Sequence, residues 1–248
     1  MSVYVLGAIV IGASCLLAAL VLLLIHRGDQ ERRKENNDVN GLIFAIVGVL
    51  YAIVVGFVVT SQWQNVGNAR DAAQQESNGL VRVYWAAEAL PSAQRENIRS
   101  LCQQYATEVR DDEWPAMRKG QVPSPAGQVL LDRLSRAVHA GNVPDPQAGQ
   151  LDDALNSVFT GRQERLNLSR QNLSGMMWFV LIAGGLFTVA LGYLFGVGSR
   201  IAHLVMIVSL VGTMGLLLYA SYQLQYPFGP ATGLGPDGMV SALRVFSA

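Results

Sequence analysis

Residues 41–90 read GLIFAIVGVLYAIVVGFVVTSQWQNVGNARDAAQQESNGLVRVYWAAEAL, and no proline interrupts them before Pro91. From Val39 to Ala69 there is no Lys, Arg, Asp or Glu. An uncharged apolar run of about twenty residues reads as a helix crossing a hydrocarbon core of about 30 Å, at 1.5 Å per residue. In lipid a helix also satisfies its own backbone groups, which a lone strand cannot do. Gly41–Thr60 is therefore expected to span a membrane. The polar remainder, to Leu90, is expected to continue the same helix about 45 Å beyond the bilayer, at 1.5 Å rise over some thirty residues.

The same pattern recurs outward from this stretch. Met1–Ile25, Gln171–Ser199 and Ile201–Pro236 are also free of Lys, Arg, Asp and Glu. They predict spans at Val3–Ile25, Met176–Val197 and Ile201–Leu224. The first is expected as a retained span rather than a signal peptide: no basic residue precedes it, its apolar core is long, and charged residues follow it. Only 15% of the 248 residues are charged and half are apolar, whereas a soluble domain carries about a quarter charged residues. The fold class expected is all-α and integral to the membrane.

Between the second and third spans lies a soluble region. Asp145-Pro146 pairs an N-cap residue with proline at the first helical position, and no proline follows until after the third span. The third span is thus expected to be extended as well, with Leu151, Leu155, Val158, Phe159, Arg162 and Leu166 on one face. Val66, Ala69, Ala73, Leu80, Val83 and Tyr84 would supply the facing surface. Two shorter helices are expected between them, one from Ser92 toward Trp114 and Pro115, one from Ser124-Pro125 to about Ala140. The domain boundaries predicted are 1–60 for spans one and two, 61–173 for the extramembrane helical domain, 174–225 for spans three and four, and 226–248 for a C-terminal tail.

The first loop carries Arg27, Arg32, Arg33 and Lys34, and the short last loop carries Arg200. By the positive-inside bias of short loops, both loops are expected in the cytoplasm. Both termini and the helical domain would then lie outside it, on an inner or plasma membrane. Net charge is zero, which gives no argument for nucleic acid as a partner.

An enzymatic reading finds little support. His26, His139 and His203 have no partners at metal-ligand spacing, Cys15 and Cys102 fall in different compartments, and no phosphate loop or nucleophile elbow occurs. No catalytic residue, metal or cofactor is expected. Gly184-Gly185 and the pair Gly192 and Gly196 read as packing positions inside the third span.

The second span carries the functional expectation. Gly41, Ala45, Gly48, Ala52 and Gly56 recur at steps of four, three, four and four, a stripe of small residues that lets helices approach closely. That stripe would pack either inside the chain or between subunits about an axis. In the second case Phe44, Val47, Tyr51, Val54, Val55 and Val58 are the pore-lining candidates, since an apolar constriction can gate ions by dewetting. Glu76, Glu88, Asp111, Asp112 and Glu113 could form a cation-attracting vestibule. Alternatively, Asp111–Glu113 is a solvated helix end, and Glu76 and Glu88 pair with Arg162, Arg165 or Arg170.

Several of these residues also carry a resemblance. Asn37-Asp38 leading into GLIFAIVGVLYAIVVGFVV, then Trp63, Glu76 and Glu88, then Glu113-Trp114 with Met117 and Gly120, and finally Tyr226-Pro227-Phe228-Gly229 resemble the bestrophin-like membrane proteins over nearly the whole chain. The resemblance implies kinship with bestrophins, pentameric chloride channels with four spans per subunit and a pore lined by the second. Only Asp237 is acidic after the last span, so the bestrophin calcium clasp is not implied. The function expected is a homo-oligomeric pore for small inorganic ions. The alternative is a non-conducting scaffold or sensor whose outward helical domain binds a partner.

Overall fold

The computed structural model describes residues 3–25, 37–140, 145–195 and 199–247, and all its regular structure is helical. In chain order the helices are α1 (Val3–Ile25), α2 (Asn37–Ala86), α3 (Ser92–Glu108), α4 (Trp114–Arg118), α5 (Ala126–His139), α6 (Asp145–Arg170), α7 (Gly175–Gly192), α8 (Arg200–Leu224) and α9 (Asp237–Phe246). Among them α1, α2, α7 and α8 are long and apolar enough to cross a membrane. The all-α, four-span class expected from the charge-free runs is therefore what the chain adopts. The basic cluster Arg27, Arg32, Arg33 and Lys34, with His26, lies outside the described residues, as does Gly196.

The chain divides into two compact units, Met1–Trp63 with Asn172–Gln225, and Gln64–Gln171 with Tyr226–Ala248. In the first unit α1 lies along α8. Ala18, Leu22 and Ile207 are buried together, and the Tyr193 hydroxyl donates to the Ala18 carbonyl at 2.8 Å. Gly7 is needed there, because a Cβ at that position would fall 2.5 Å from the Tyr219 ring. Gly192 likewise faces Ile207. The spanning half of α2 packs on α7 through Tyr51, Val55, Val58 and Leu181. The Tyr51 ring lies against Gly184, whose Cβ would come within 2.9 Å of it, so this glycine does serve packing.

One expectation about helix continuity needs correction. The run from Pro146 toward Val197 is not one helix but two, with residues 171–174 outside helical structure. Ser174 is extended there (φ −62°, ψ 148°), and its hydroxyl accepts from the Met177 N–H at 3.2 Å. Such a cap satisfies one of the orphan N–H groups at the start of α7, so a polar Asn-Leu-Ser segment breaks the helix without proline. Pro115, expected to weaken or end its helix, weakens it without ending it. Residues Val109–Glu113 form a π-helical turn that leads directly into α4, with Pro115 in the first turn of that helix. The wider turn lets the chain pass a residue that lacks an N–H and clashes with the preceding turn.

The second unit builds its own core. Ala69, Leu80 and Val83 of α2, Ile98 and Tyr105 of α3, Leu131 and Leu134 of α5, and Leu151 and Val158 of α6 are all buried together. The two faces read from the spacing of α2 and α6 do contribute to it, with Phe159, Leu166 and Ala73 at its edge. Gly161 seats α6 against α2: a Cβ there would lie 2.6 Å from the Glu76 backbone nitrogen. Residues 226–248 are not a free tail. Phe228, Met239, Ala242 and Phe246 are part of the same core, Phe246 stacks on Tyr84 at 4.4 Å, and the Tyr84 hydroxyl donates to the Phe246 carbonyl.

Candidate functional site

Two places in the chain collect the residues singled out above: a buried ionic cluster in the second unit, and the spanning half of α2 in the first.

The ionic cluster is centred on Arg165 of α6, which is fully buried together with Glu76 of α2 and Glu113 of the π-helical turn. Arg165 donates from Nε to Glu76 Oε2 at 2.6 Å and from Nη2 to Glu76 Oε1 at 2.9 Å. The same Nη2 donates to Glu113 Oε2 at 2.8 Å. Arg162, one helical turn earlier, donates from Nη1 to Glu113 Oε2 at 2.9 Å. Its Nη2 lies 2.7 Å from Oε1, close enough to attract but without hydrogen-bond alignment. Tyr105 donates to Glu76 Oε1 at 2.5 Å and accepts from Arg162 at 3.3 Å. Two carboxylates thus face two guanidiniums in a space closed to solvent.

Burial raises the Glu113 carboxyl's pKa, but the hydrogen bond and charge of Arg162, together with the charge of Arg165, outweigh it and leave it below the ordinary range. Burial lowers the Arg165 pKa, and Glu76 then Glu113 reverse this, holding it above the usual arginine value. Burial pushes the Tyr105 hydroxyl well up. Glu113, Arg162 and Arg165 are therefore held ionised beside a neutral phenol. Losing one member of a buried pair leaves an uncompensated charge, which costs about 3–5 kcal/mol. The surroundings are shaped to match: a Cβ on Gly127 of α5 would fall 2.0 Å from Glu113 Oε1.

Five of the residues behind the family resemblance meet here: Glu76, Glu113, Trp114, Met117 and Phe228. Arg165 Nη1 contacts Met117 Sδ at 3.4 Å, and its guanidinium lies 5.9 Å from the Trp114 ring centroid. Trp114 in turn meets Phe228 edge-on at 5.3 Å and donates to the Leu234 carbonyl. Gly120 adopts φ +68°, the left-handed region that favours glycine.

The vestibule expected from Glu76, Glu88, Asp111, Asp112 and Glu113 is not assembled. Glu76 and Glu113 are sealed in ion pairs, so Asp111–Glu113 is not simply a solvated helix end either. Glu88 does not reach α6; it pairs with Arg95 at 3.3 Å and with Arg99. Asp111 pairs with its neighbour Arg110 at 2.6 Å, and Asp112 is exposed. Among the described residues no group of three or more His, Cys, Asp or Glu side chains is placed to hold a metal ion. Cys15 and Cys102 are both free thiols.

On α2 the expected pore-lining set divides between positions covered within the chain and open ones. Tyr51, Val55 and Val58, read from sequence as pore-lining, are buried against α7 within the same chain, and Phe44 meets Phe195 edge-on at 5.5 Å. The Tyr51 hydroxyl donates to the Leu181 carbonyl. Of that set, Val47 is half-buried and only Val54 is exposed. The small-residue stripe is the open one: Ala45, Ala52 and Gly56 are exposed, and a Cβ on Gly48 or Gly56 would meet nothing within 4 Å. Leu42, Ile46, Val49, Ile53 and Phe57 are exposed as well and were not singled out by spacing. Gln62 and Ser221, also missed, are buried polar side chains whose amide atoms and hydroxyl have no hydrogen-bond partner among the described residues.

Comparison with known proteins places these features in context. The Bestrophin-like domain matches residues 12–239 of the chain. A solved membrane-protein structure superposes with a TM-score of 0.74 at 15% identity, covering 95% of this chain and 97% of the other. A point-mutant bacterial bestrophin homologue from Klebsiella pneumoniae superposes with a TM-score of 0.73 at 16% identity, over 96% of this chain and 99% of that one. A second mutant of the Klebsiella homologue gives 0.71 at 17% identity, over 95% and 97%. At this identity the likeness is one of fold. No curated protein sequence matches the chain.

Proposed function

Since this chain belongs to the Bestrophin-like domain family, we propose that it is a homo-oligomeric, multi-pass membrane channel for small inorganic ions, with α2 of each subunit beside the axis. The reading is carried by the division of α2 into faces. Tyr51, Val55 and Val58 are covered by the chain's own α7. About half a turn away, at 3.6 residues per turn, Leu42, Ile46, Val49, Ile53 and Phe57 recur at steps of four, three, four and four and stand exposed. Between them, on one flank, runs the open stripe Gly41, Ala45, Gly48, Ala52 and Gly56.

A helix in a ring has these directions: its own subunit behind, neighbouring copies to either side, the axis in front. A flank of small residues admits a neighbouring helix at close range. A stripe of large apolar side chains toward the axis would exclude water when the passage is narrow. The pore-facing residues we infer are therefore Ile46, Val49, Ile53 and Phe57 rather than Tyr51 and Val55. The kinship with bestrophins supports a pentamer. The basic first loop supports an inner or plasma membrane orientation with the helical domain 61–173 outside the cytoplasm, the spans at 1–60 and 174–225 forming the membrane part.

The deciding experiment pairs native mass spectrometry of the protein in lipid nanodiscs with ion flux through proteoliposomes. A ring of four or more subunits that passes monovalent ions is expected. A monomer or dimer that passes none would leave the chain a non-conducting scaffold or sensor.

A further inference from the structure

The second unit holds a cavity of about 360 Å³ on the outer side of the ionic cluster, within the range of about 300–1,000 Å³ occupied by small-molecule sites. Two guanidiniums line it, Arg162 and Arg170, with the carboxamides of Gln128, Gln163 and Asn167, and none of its lining residues is acidic. Phe159 and Leu166 supply apolar wall. The Gln128 amide nitrogen donates to Asp132 at 2.8 Å, and Glu113 is held by Arg162.

Arg162 is 4% exposed; its Nη1 donates to both Glu113 and Tyr105, and its Nη2 is ion-paired with Glu113 Oε1. Its Nε is buried with no acceptor among the described residues, so the guanidinium is locked in place behind the cavity wall and Arg170 is the accessible guanidinium. Glu76 and Glu113 neutralise Arg162 and Arg165, and among the described residues Arg170 makes no ion pair. The volume exceeds what a halide needs, and the apolar wall would be wasted on one.

The geometry points to a binding site for a small carboxylic acid, its carboxylate at Arg170, its short carbon body against Phe159 and Leu166. Guanidinium and carboxylate match as paired donors and acceptors, and the three carboxamides suit a second polar group. The site lies wholly in the second unit, so its existence is independent of whether the protein conducts.

The test is isothermal titration of the full-length protein in nanodiscs with acetate, benzoate and succinate, and with chloride at matched ionic strength. Saturable binding of at least one carboxylate is expected, with chloride failing to displace it at equal concentration. Arg170→Gln, a change at an exposed residue, should weaken binding about tenfold, the usual effect of losing a hydrogen bond to a charged group. Gln163→Glu, which places a like charge on the wall, should abolish it without lowering the melting temperature. If Gln163→Glu does not fold, Asn167→Asp makes the same charge test. Absence of saturable carboxylate binding overturns the assignment, as does binding that both the charge variant and Arg170→Gln leave unchanged, or a site that prefers chloride.

Discussion

The Tyr51 hydroxyl donates to the Leu181 carbonyl at 3.0 Å, tying the spanning half of α2 to α7 within one chain. The ring beneath it rests on Gly184 and Gly185. Tyr51→Phe keeps the ring and removes the bond, so the melting temperature should fall modestly, in line with about 0.5–1.5 kcal/mol. Gly185→Val, which puts carbon where the hydroxyl now sits, should lower it more. Equal effects would mean that the hydroxyl, not the close approach, holds the two helices.

The opposed faces of α2 make a paired prediction about conduction. Ile53→Ser adds a hydroxyl to the open stripe and should raise ion flux through proteoliposomes by lowering a dewetting barrier. Val55→Ser acts at a position 2% exposed within the subunit. It should reduce thermal stability and leave flux per assembled protein unchanged. The reverse outcome would return the axis to the Tyr51 face.

Gly48→Leu separates folding from assembly. Within the subunit a side chain at Gly48 meets open space, so the isolated chain has room for it. Where a neighbouring helix packs, overpacking costs about 1–3 kcal/mol. Native mass spectrometry should therefore show loss of the oligomer while helical content by circular dichroism is kept. An intact oligomer would place the stripe against lipid.

Glu113 sets an acid limit on the second unit. Its folded pKa lies below the ordinary value, which is about 4.3 in an unfolded chain. As pH falls, the unfolded state takes up the proton first. The stabilisation is therefore complete above that range and is lost as pH drops through the folded value. The melting temperature should decline below about pH 5. Glu113→Gln should lower it at neutral pH, by the several kcal/mol of an unpaired buried arginine, and flatten the acid decline. An unchanged acid decline in the variant would assign it to another carboxylate.

Orientation is best tested away from the native thiol, since Cys102 is fully buried and burial holds its thiol protonated. Lys119→Cys, at an exposed position, should react with an impermeant maleimide in intact cells. Protection until the cells are opened would put the second unit in the cytoplasm.

The spans were legible because the absence of charge over twenty residues has one economical explanation, and Pro91 marked the end of α2 because a missing N–H is a local fact. The faces of α2 were not legible. Every position from Leu42 to Val59 is apolar or small, and in lipid a valine against protein and a valine against hydrocarbon differ little. Only the partner, Gly184-Gly185 on α7, decides which side is covered, and it lies far away in sequence. The ionic cluster was half legible. Spacing could pair Glu76 with the arginines of α6, but Glu113 turns inward only because the π-helical turn re-aims it, and no residue pattern announces such a turn. The break at Ser174 was concealed because capping needs no proline.

The closing helix has a consequence for biosynthesis. Phe228, Met239 and Phe246 fill the same core as Leu80 and Leu131, yet α7 and α8 are made between them. Until those two helices have been inserted as a hairpin, returning the chain to the side it left, the helical domain lacks part of its interior. Non-local closure of this kind is slow and exposes apolar surface meanwhile. A nascent chain with a failed insertion would thus carry an open core and present itself to quality control. The final segment makes completion of the soluble domain a report on correct threading of the membrane.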